Sequence, residues 1–193
     1  MIPKIIYFSW ISPDPIPERF LPYIESWKRI MPDYEIRQLS LENLDKKSPF
    51  VQECLKRENY AIAGHFERCR ALYETGGIYF DVDIEAIKPL DDLLNQDFFV
   101  GKEDLTVINN AVVGSVAGYP FLKKCMEFME SFDFSQDHIE LRTGPWMFTE
   151  LIDKEKVYPP MYFYPYSYKE TYSPSCITPY TYVVHHWAKT WQK

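Results

Sequence analysis

The chain lacks the features that mark several protein classes. It has four cysteines and no C-x-x-C pair, which argues against a structural zinc site and a dense disulfide framework. No hydrophobic run approaches the roughly 20 residues of a membrane-spanning helix, and residues 1–7 lack the length and flanks of a signal peptide. We therefore expect reduced thiols and a cytoplasmic protein, which could still associate peripherally with the inner face of a membrane.

Positive charge is also scarce. Lys and Arg total 21 against 28 Asp and Glu, a formal net charge of −7, and there is no basic run. Nucleic-acid binding is therefore not expected, because phosphates need a cationic face. An acidic protein can still bind a diphosphate when a metal ion bridges it to carboxylates.

The aromatic content is high, at 17% of residues, with 15 Tyr, 13 Phe and 5 Trp. Large rings fill a small core efficiently, and this is the favoured interpretation for any single one. They also suit a pocket that stacks on bases and sugar rings. With 193 residues and no linker, repeat or break in composition, we expect a single domain over residues 1–193.

Hydrophobic spacing predicts an α/β fold. Strands are expected at residues 4–10, 34–39 and 78–80, and helices at 18–30, 50–58 and 63–74. Strands at 98–101 and 111–116 and a helix at 119–132 follow. Thr143 is expected to cap a further helix, with Pro145 in its first turn. This order predicts a central sheet with helices on its faces.

Two aspartates follow the predicted strand 78–80. Residues two apart on a strand share a face, so Asp81 and Asp83 can converge on one cation beyond the carboxyl end of the sheet. Carboxylate oxygens favour a hard cation, Mg²⁺ or Mn²⁺. Gly77, with Gly76, lets the backbone approach a ligand, and we place it among the donor-binding residues. A lone D-x-D is also common as a solvated turn.

Phosphatases of the haloacid dehalogenase type use a different D-x-D chemistry, with the first Asp as nucleophile. Their pattern continues D-x-D-x-T/V, and here the fifth position is Glu85. A phosphohydrolase is therefore a minor alternative.

The stretch E-R-C-R-A-L-Y-E-T-G-G-I-Y-F-D-V-D-I-E-A-I-K-P-L-D-D-L-L at residues 67–94 closely resembles the signature of glycosyltransferase family 32. Residues 3–10 resemble the opening strand of that family. Residues 26–35 resemble its S-W-K and P-D-Y-E segment, and residues 185–191 its C-terminal H-H-W-x-x-S-W. The resemblance spans nearly the whole chain.

This resemblance implies a single GT-A-like (Rossmann-like) nucleotide-sugar-binding domain with a mixed central sheet. It implies transfer of a sugar, with retention of configuration, from a UDP- or GDP-sugar to a glycan or lipid-linked acceptor, as in the synthesis of capsular and other surface polysaccharides. The cofactor would be Mn²⁺ or Mg²⁺. The alternative from another class is a non-catalytic carbohydrate-binding or scaffold protein.

The resemblance also implies roles for particular residues. Trp10 would stack on the donor base, where it is otherwise a core or rim aromatic, and Tyr79 would line the donor pocket. Arg68 would contact the donor near its phosphates and assist catalysis, unless it merely pairs with Glu67 or Glu74. The metal set would be Asp81, Asp83 and one of the two C-terminal histidines, with His186 favoured over His185. Asp81 would also lie near the donor sugar, and Asp83 would be essential for catalysis.

Three positions depart from the family. His65 stands where relatives carry an aspartate that accepts hydrogen bonds from donor-sugar hydroxyls, so we expect His65 in the donor pocket. A neutral imidazole can both donate and accept, which changes the donor preference expected and predicts pH sensitivity near neutrality. It also leaves loss of activity as an alternative. Tyr7 replaces a common His, and Thr190 replaces Ser.

Overall fold

The computed structural model describes residues 1–135, 139–153 and 156–188. Within these residues the strands are β1 Ile5–Ser9, β2 Glu35–Leu39, β3 Gly77–Phe80, β4 Ile84–Ala86, β5 Phe98–Lys102, β6 Ile108–Ser115, β7 Val157–Tyr158 and β8 Val183–His185. The α-helices are α1 Leu21–Ile30, α2 Pro49–Lys56, α3 Tyr60–Thr75, α4 Pro120–Glu130, α5 Ile139–Arg142 and α6 Pro145–Leu151. None of these helices is both long and apolar enough to cross a membrane.

A six-stranded mixed sheet organises the fold, in the order β2-β1-β3-β6-β5-β7. β1 pairs in parallel with β2 and β3, and β5 pairs in parallel with β7. β6 is antiparallel to both of its neighbours, β3 and β5. A separate two-stranded ribbon joins β4 to β8. The expected α/β class with a mixed central sheet flanked by helices is confirmed.

Alternating side chains divide the core between the two faces of the sheet, as strand geometry requires. Ile6, Phe8 and Phe80 lie in one core, with α1 and the β4–β8 ribbon. Tyr7 and Tyr79 lie in the other, with α2, α3, α4 and α6.

Helix α1 is bonded directly to the segment that follows the two aspartates. Trp27 is fully buried and donates from Nε1 to the carbonyl of Ile84 at 2.6 Å. The amide of Ala86 donates to the hydroxyl of Ser26 at 2.9 Å. The adjacent Ser-Trp pair therefore fixes β4 to α1.

Two local expectations are wrong. The N-cap of α6 is Gly144 at φ +62°, not Thr143. The hydroxyl of Thr143 instead donates to the Ile139 carbonyl at 2.8 Å, which closes α5. The adjacent Asn109-Asn110 pair suggests from the sequence either a turn, which is favoured, or an acceptor-side polar pair, and the structure places both residues inside β6 and not in a turn.

The Gly76-Gly77 pair serves the connection from α3 to β3. Both residues have positive φ, +69° and +128°. A Cβ on Gly77 would stand 2.8 Å from the carbonyl oxygen of Ile5, and one on Gly76 would meet the backbone at Ala117. Chain packing therefore explains these glycines, and the expected close approach to a ligand does not.

Candidate metal and donor site

The candidate site lies at the carboxyl edge of the sheet. Trp10 follows β1 and Asp81 follows β3, and these two strands are parallel neighbours. The amide of Asp81 donates to the carbonyl of Ala111 in β6 at 2.9 Å, so the ladder holds the first aspartate in place. α/β proteins place ligands at such an edge.

A tight turn brings the two aspartates together. The amide of Ile84 donates to the carbonyl of Asp81 at 3.1 Å, so Val82 and Asp83 lie in a turn. The two carboxylates therefore converge through the turn, and not through strand alternation as expected.

Asp83 is buried, with 5% of its surface exposed. One carboxylate oxygen accepts from the amide of Ala188 at 2.7 Å, and the backbone carbonyl of Asp83 accepts from the amide of His186 at 3.0 Å. The C-terminal part of the chain thus holds Asp83 on both its side chain and its backbone.

His185 is the imidazole beside this pair. Strand β8 places His185 opposite Ile84, and His185 Nε2 lies 3.3 Å from Asp83 Oδ1. One ligand atom each of Asp81, Asp83 and His185 lies within 4.8 Å of the others.

His186, the histidine favoured by the resemblance, is the first residue after β8, and its ring contacts other groups. Its Nε2 lies 2.8 Å from a carboxylate oxygen of Glu85, and its ring stacks on Tyr23 at 4.7 Å. The structure does not bring its ring into the cluster of Asp81, Asp83 and His185.

The cluster has the chemistry of a divalent-metal site. Burial opposes ionisation of Asp83, but His185 and the Ala188 amide outweigh it and hold the Asp83 pKa below its ordinary value. Burial likewise opposes the charge of His185, but Asp83 and Asp81 raise its pKa. Two carboxylates and an imidazole suit a first-row ion such as Mn²⁺ and also accept Mg²⁺. The three side chains therefore fit a divalent cation.

Arg68 borders the same site from α3. It is 4% exposed, donates from Nη2 to Asp81 Oδ1 at 3.0 Å and from Nη1 to the Asn110 carbonyl at 2.5 Å. Its guanidinium lies over the ring of Tyr79, 4.2 Å from the centroid. Burial opposes its charge, but Tyr79 and Asp81 outweigh it and raise the pKa of Arg68. The site thus contains a fixed cation beside the first aspartate.

The alternative partners of Arg68 are bonded to another arginine. Arg70 bonds Glu67 at 2.7 Å and Glu74 at 2.7 Å. Arg68 therefore does not lie on a solvated helix face.

The ring of Tyr79 packs against the guanidinium of Arg68. Its hydroxyl hydrogen-bonds the Ser9 hydroxyl at 2.9 Å, and burial raises its pKa above the ordinary tyrosine value. With 1% of its surface exposed, it is a buried wall of the site.

His65 lies one turn before Arg68 on the same face of α3. Burial, and secondarily the charge of Arg68, lower the pKa of His65 well below its ordinary value, so the ring is neutral. The expected pH sensitivity near neutrality is therefore wrong for this residue. Its Nδ1 is buried without a hydrogen-bond partner. Gly144 packs on the ring, since a Cβ there would stand 3.0 Å from His65 Cε1.

Trp10 lines a neighbouring cleft of about 620 Å³ between residues 12–16 and 38–43. Its Nε1 donates to the Asp14 carbonyl at 2.9 Å, and its ring packs on Phe20 at 5.8 Å. Gly77 is different: it lies at the opposite end of β3 from Asp81, against Ile5. Lys189, Thr190 and Trp191 lie outside the described residues.

Asn110, interpreted from the sequence mainly as half of a turn, also reaches this edge of the sheet. Asn110 is 2% exposed and its Nδ2 has no hydrogen-bond partner. Within the described residues, the buried side-chain nitrogens without a partner belong to His65, Arg68, Asn110 and His185. All four surround one edge of the sheet, and such unpaired groups are costly in a folded core. A polar ligand at this edge would satisfy them.

Residues 17–100 match the family model described as "Glycosyltransferase sugar-binding region containing DXD motif". Inositol phosphoceramide mannosyltransferase 3 of Schizosaccharomyces pombe is 29% identical over 139 residues, 69% of this chain and 39% of that protein. Mannosyl phosphorylinositol ceramide synthase SUR1 of Saccharomyces cerevisiae is 28% identical over 142 residues, 69% of this chain and 36% of that protein. The chain thus spans under two fifths of the length of these relatives.

Solved structures share the fold. The PaToxG glycosyltransferase superposes with a TM-score of 0.62 at 18% identity, over 78% of this chain and 67% of that one. The UDP-bound glycosyltransferase domain of the YGT toxin superposes with a TM-score of 0.52 at 10% identity, over 67% and 61%. The chain therefore has the GT-A fold of these glycosyltransferase structures, and its residues 17–100 match the model of a sugar-binding region with a DXD motif.

Proposed function

We propose that this chain is a glycosyltransferase domain that catalyses transfer of a hexose from a nucleoside-diphosphate sugar to a hydroxyl of a carbohydrate or lipid-linked acceptor. The cluster of Asp81, Asp83 and His185, flanked by buried Arg68, carries the proposal. With a divalent cation bound, this edge would neutralise a diphosphate leaving group in a protein whose formal net charge is −7. A carbohydrate-binding protein without catalysis would not need a buried arginine at an acidic pair.

Asp81, Asp83 and His185 would hold a divalent cation, for which Mn²⁺ is the first candidate because an imidazole joins the carboxylates. When bound, the cation would act as a Lewis acid toward the diphosphate. The remaining work belongs to the protein. Arg68 stays charged in a buried setting, where its electrostatic effect on a departing phosphate is strong.

The donor would lie across the carboxyl edge. Its base would occupy the cleft beside Trp10, where a planar ring can stack. Its sugar would lie near His65 and Asn110, whose unpaired nitrogens suit hydroxyl groups. His65 is neutral, so it can donate one hydrogen bond and accept another.

Mannose is the first donor sugar to test, because the curated relatives are named as an inositol phosphoceramide mannosyltransferase and a mannosyl phosphorylinositol ceramide synthase. Those names also favour a glycolipid acceptor over the surface polysaccharide expected from the sequence. We further propose retention of configuration, with positioning and leaving-group stabilisation as the main sources of rate. A cytoplasmic location at the inner face of a membrane remains part of this proposal, because the spacing of the four cysteines, with no C-x-x-C pair, does not suggest a dense disulfide framework.

The test is a donor panel of GDP-mannose, UDP-glucose, UDP-galactose and UDP-N-acetylglucosamine with Mn²⁺. Released nucleoside diphosphate is measured with and without a chelator. We expect release from one donor in preference to the others, abolished by the chelator. Binding of a glycan without release from any donor would instead support the carbohydrate-binding alternative.

A further inference from the structure

A third acidic side chain, Glu103, reaches the same edge of the sheet. Of the six described strands of this sheet, β6 alone runs against the others, so β5 is parallel to β1 and β3. Glu103 is the first residue after β5, just as Asp81 is the first residue after β3. Glu103 therefore lies at the carboxyl end of β5, on the same edge of the sheet as the metal cluster.

The β5–β6 hairpin fixes the direction of Glu103. Its amide donates to the Val107 carbonyl at 2.9 Å. The neighbouring Asp104 accepts from the amides of Thr106 and Val107 at 2.7 and 2.8 Å, which closes the loop on itself. The two adjacent acids thus differ: Asp104 bonds its own loop, and Glu103 turns inward.

Hydrogen bonds and ring contacts connect Glu103 to His185. A carboxylate oxygen of Glu103 accepts from Asn109 Nδ2 at 2.5 Å. The carbonyl of Asn109 accepts from the Tyr164 hydroxyl at 3.1 Å, and the Tyr164 ring meets the His185 ring edge-on at 5.7 Å. Burial raises the pKa of Glu103, and the charge of His185 opposes that rise. Glu103 is therefore a partly buried carboxylate within electrostatic reach of the metal cluster.

Its contacts through Asn109 and Tyr164 link Glu103 to the face of the sheet opposite the candidate donor residues. Tyr164 belongs to the core that contains α1, whereas Tyr79, on which Arg68 lies, belongs to the core that contains α3. The edge therefore has a basic side at Arg68 and an acidic side at Glu103. A diphosphate is suited to the first and is repelled by the second.

A neutral hydroxyl is the group that suits the acidic side. A carboxylate accepts hydrogen bonds only, and Asn109 is its one side-chain donor within the described residues. A sugar hydroxyl donates to a carboxylate without the electrostatic cost that a phosphate would incur. The unpaired Nδ1 of His185, which is buried on this side, is a second sign that a polar molecule completes the edge here.

We propose that Glu103 accepts a hydrogen bond from a hydroxyl of the sugar acceptor and so helps to select that acceptor. This inference rests on the proposed transfer reaction. Glu103 is a substrate-positioning residue on the side of the cluster opposite Arg68. It takes no part in holding the nucleotide.

The experiment compares the native protein with Glu103→Gln and with the neighbouring control Asp104→Asn, using Mn²⁺ and the donor that the panel identifies. Acceptors are methyl glycosides of mannose, glucose and galactose, and the monodeoxy analogues of the best of them. Donor hydrolysis without acceptor is measured in parallel. Circular dichroism and urea unfolding verify the fold, and Glu103→Asp serves as a second variant.

We expect Glu103→Gln to leave donor hydrolysis within about twofold and to raise the acceptor KM about tenfold, the range of one hydrogen bond to a charged group. In the native protein one deoxy analogue should lose about tenfold in kcat/KM, and in Glu103→Gln that loss should shrink to about twofold, since the amide oxygen of Gln accepts only a weaker, neutral hydrogen bond from the same hydroxyl. Asp104→Asn should retain both values.

Three results would overturn the inference while the proposed function stands. They are an unchanged acceptor KM in Glu103→Gln, a fall in hydrolysis equal to the fall in transfer, and full discrimination among deoxy analogues in the variant. A fall in hydrolysis equal to the fall in transfer would mean that Glu103 contacts the donor. A native protein that releases no nucleoside diphosphate from any donor would overturn the proposed function as well.

Discussion

At the scale of single residues, the candidate site concentrates buried charge in a way that ordinary packing does not need. Arg68 and Asp83 are each no more than 5% exposed, and His185 is 7% exposed. Removing charged groups from water is costly unless they are paired. Here the pairing is partial, because nitrogens of Arg68 and His185 remain unbonded. Incomplete pairing of this kind is typical of a site that is completed by its ligand.

Asp83→Asn should lower nucleoside-diphosphate release by about 100-fold or more, because cation-assisted stabilisation of a leaving group contributes several kcal/mol. The readout is the initial rate with saturating donor over a range of Mn²⁺ concentrations. Asp97→Asn is the matched control, since the side chain of Asp97 is exposed and Asp97 precedes β5, at the opposite end of that strand from the carboxyl edge. An Asp83→Asn protein that keeps the native rate and metal response would refute the metal assignment.

His185→Gln and His186→Gln form a matched pair of neighbouring substitutions. The first removes the imidazole that lies 3.3 Å from Asp83, and the second removes one that bonds Glu85. We expect His185→Gln to raise the Mn²⁺ concentration for half-maximal activity about tenfold or more, and His186→Gln to change it less than about twofold. A larger rise in the half-maximal Mn²⁺ concentration for His186→Gln than for His185→Gln would identify His186 as the ligand.

The His185–Asp83 pair predicts a pH dependence of the metal-free protein. The folded state raises the pKa of His185, so it binds that proton more tightly than the unfolded chain does. The stabilisation is complete below the ordinary histidine pKa of about 6.5 and is lost as pH rises through the higher folded value. Urea unfolding in chelator at several pH values above 6 should show this decline. His185→Gln should remove it, and an equal slope in both proteins would contradict the assignment.

At the scale of elements, the site depends on segments that are distant in the chain. The ribbon of β4 and β8 joins residues 84–86 to residues 183–185, and α1 is bonded to β4 through Ser26 and Trp27. Both aspartates therefore lie between β3 of the main sheet and β4 of the ribbon, and β4 is bonded to α1. Substitutions that shift α1 or β8 should therefore also shift the side chains of the metal cluster, because these bonds connect them.

Gly144→Ala tests the contact between α6 and α3. Gly144 has φ +62° and a Cβ there would press on the His65 ring, whereas Gly118, at φ +72°, has open space around it. Backbone strain alone should cost Gly118→Ala about 1 kcal/mol, and Gly144→Ala should cost more, about 2–3 kcal/mol, since the ring must also move. Urea unfolding measures both. Equal losses in the free energy of unfolding would show that the His65 ring moves away from a methyl group without cost.

The sequence predicted the elements whose signals are local. The spacing of Phe20, Ile24 and Trp27 predicted the helix that the structure has at α1, and strand 78–80 was placed to within a residue of β3. The β4–β8 ribbon was not predicted, since its three-residue strands are defined by a partner about 100 residues away. The choice between His185 and His186 depends on that pairing. Neither residue type nor spacing could decide it, and the same is true of Glu103.

At the scale of the whole molecule, both the net charge and the acidic residues of the site oppose binding of a diphosphate. The chain has a formal net charge of −7, so its overall field repels an anion, and Asp81, Asp83 and Glu103 add to that repulsion near the site. Arg68 is a single cation already bonded to Asp81. A divalent cation reverses the local sign. Binding of a nucleoside diphosphate should therefore be strongly coupled to the cation.

This coupling predicts a distinct pattern of thermal stabilisation. UDP or GDP with Mn²⁺ should raise Tm, by an amount equivalent to about 2.7 kcal/mol when the ligand is at 100 times its Kd. Either nucleotide with a chelator should leave Tm nearly unchanged, because an acidic edge with one paired arginine cannot hold the anion alone. Repeating the series with Asp83→Asn should abolish the joint effect. Equal stabilisation with and without the cation would mean that the diphosphate binds elsewhere, most simply at a basic surface that the acidic cluster does not influence.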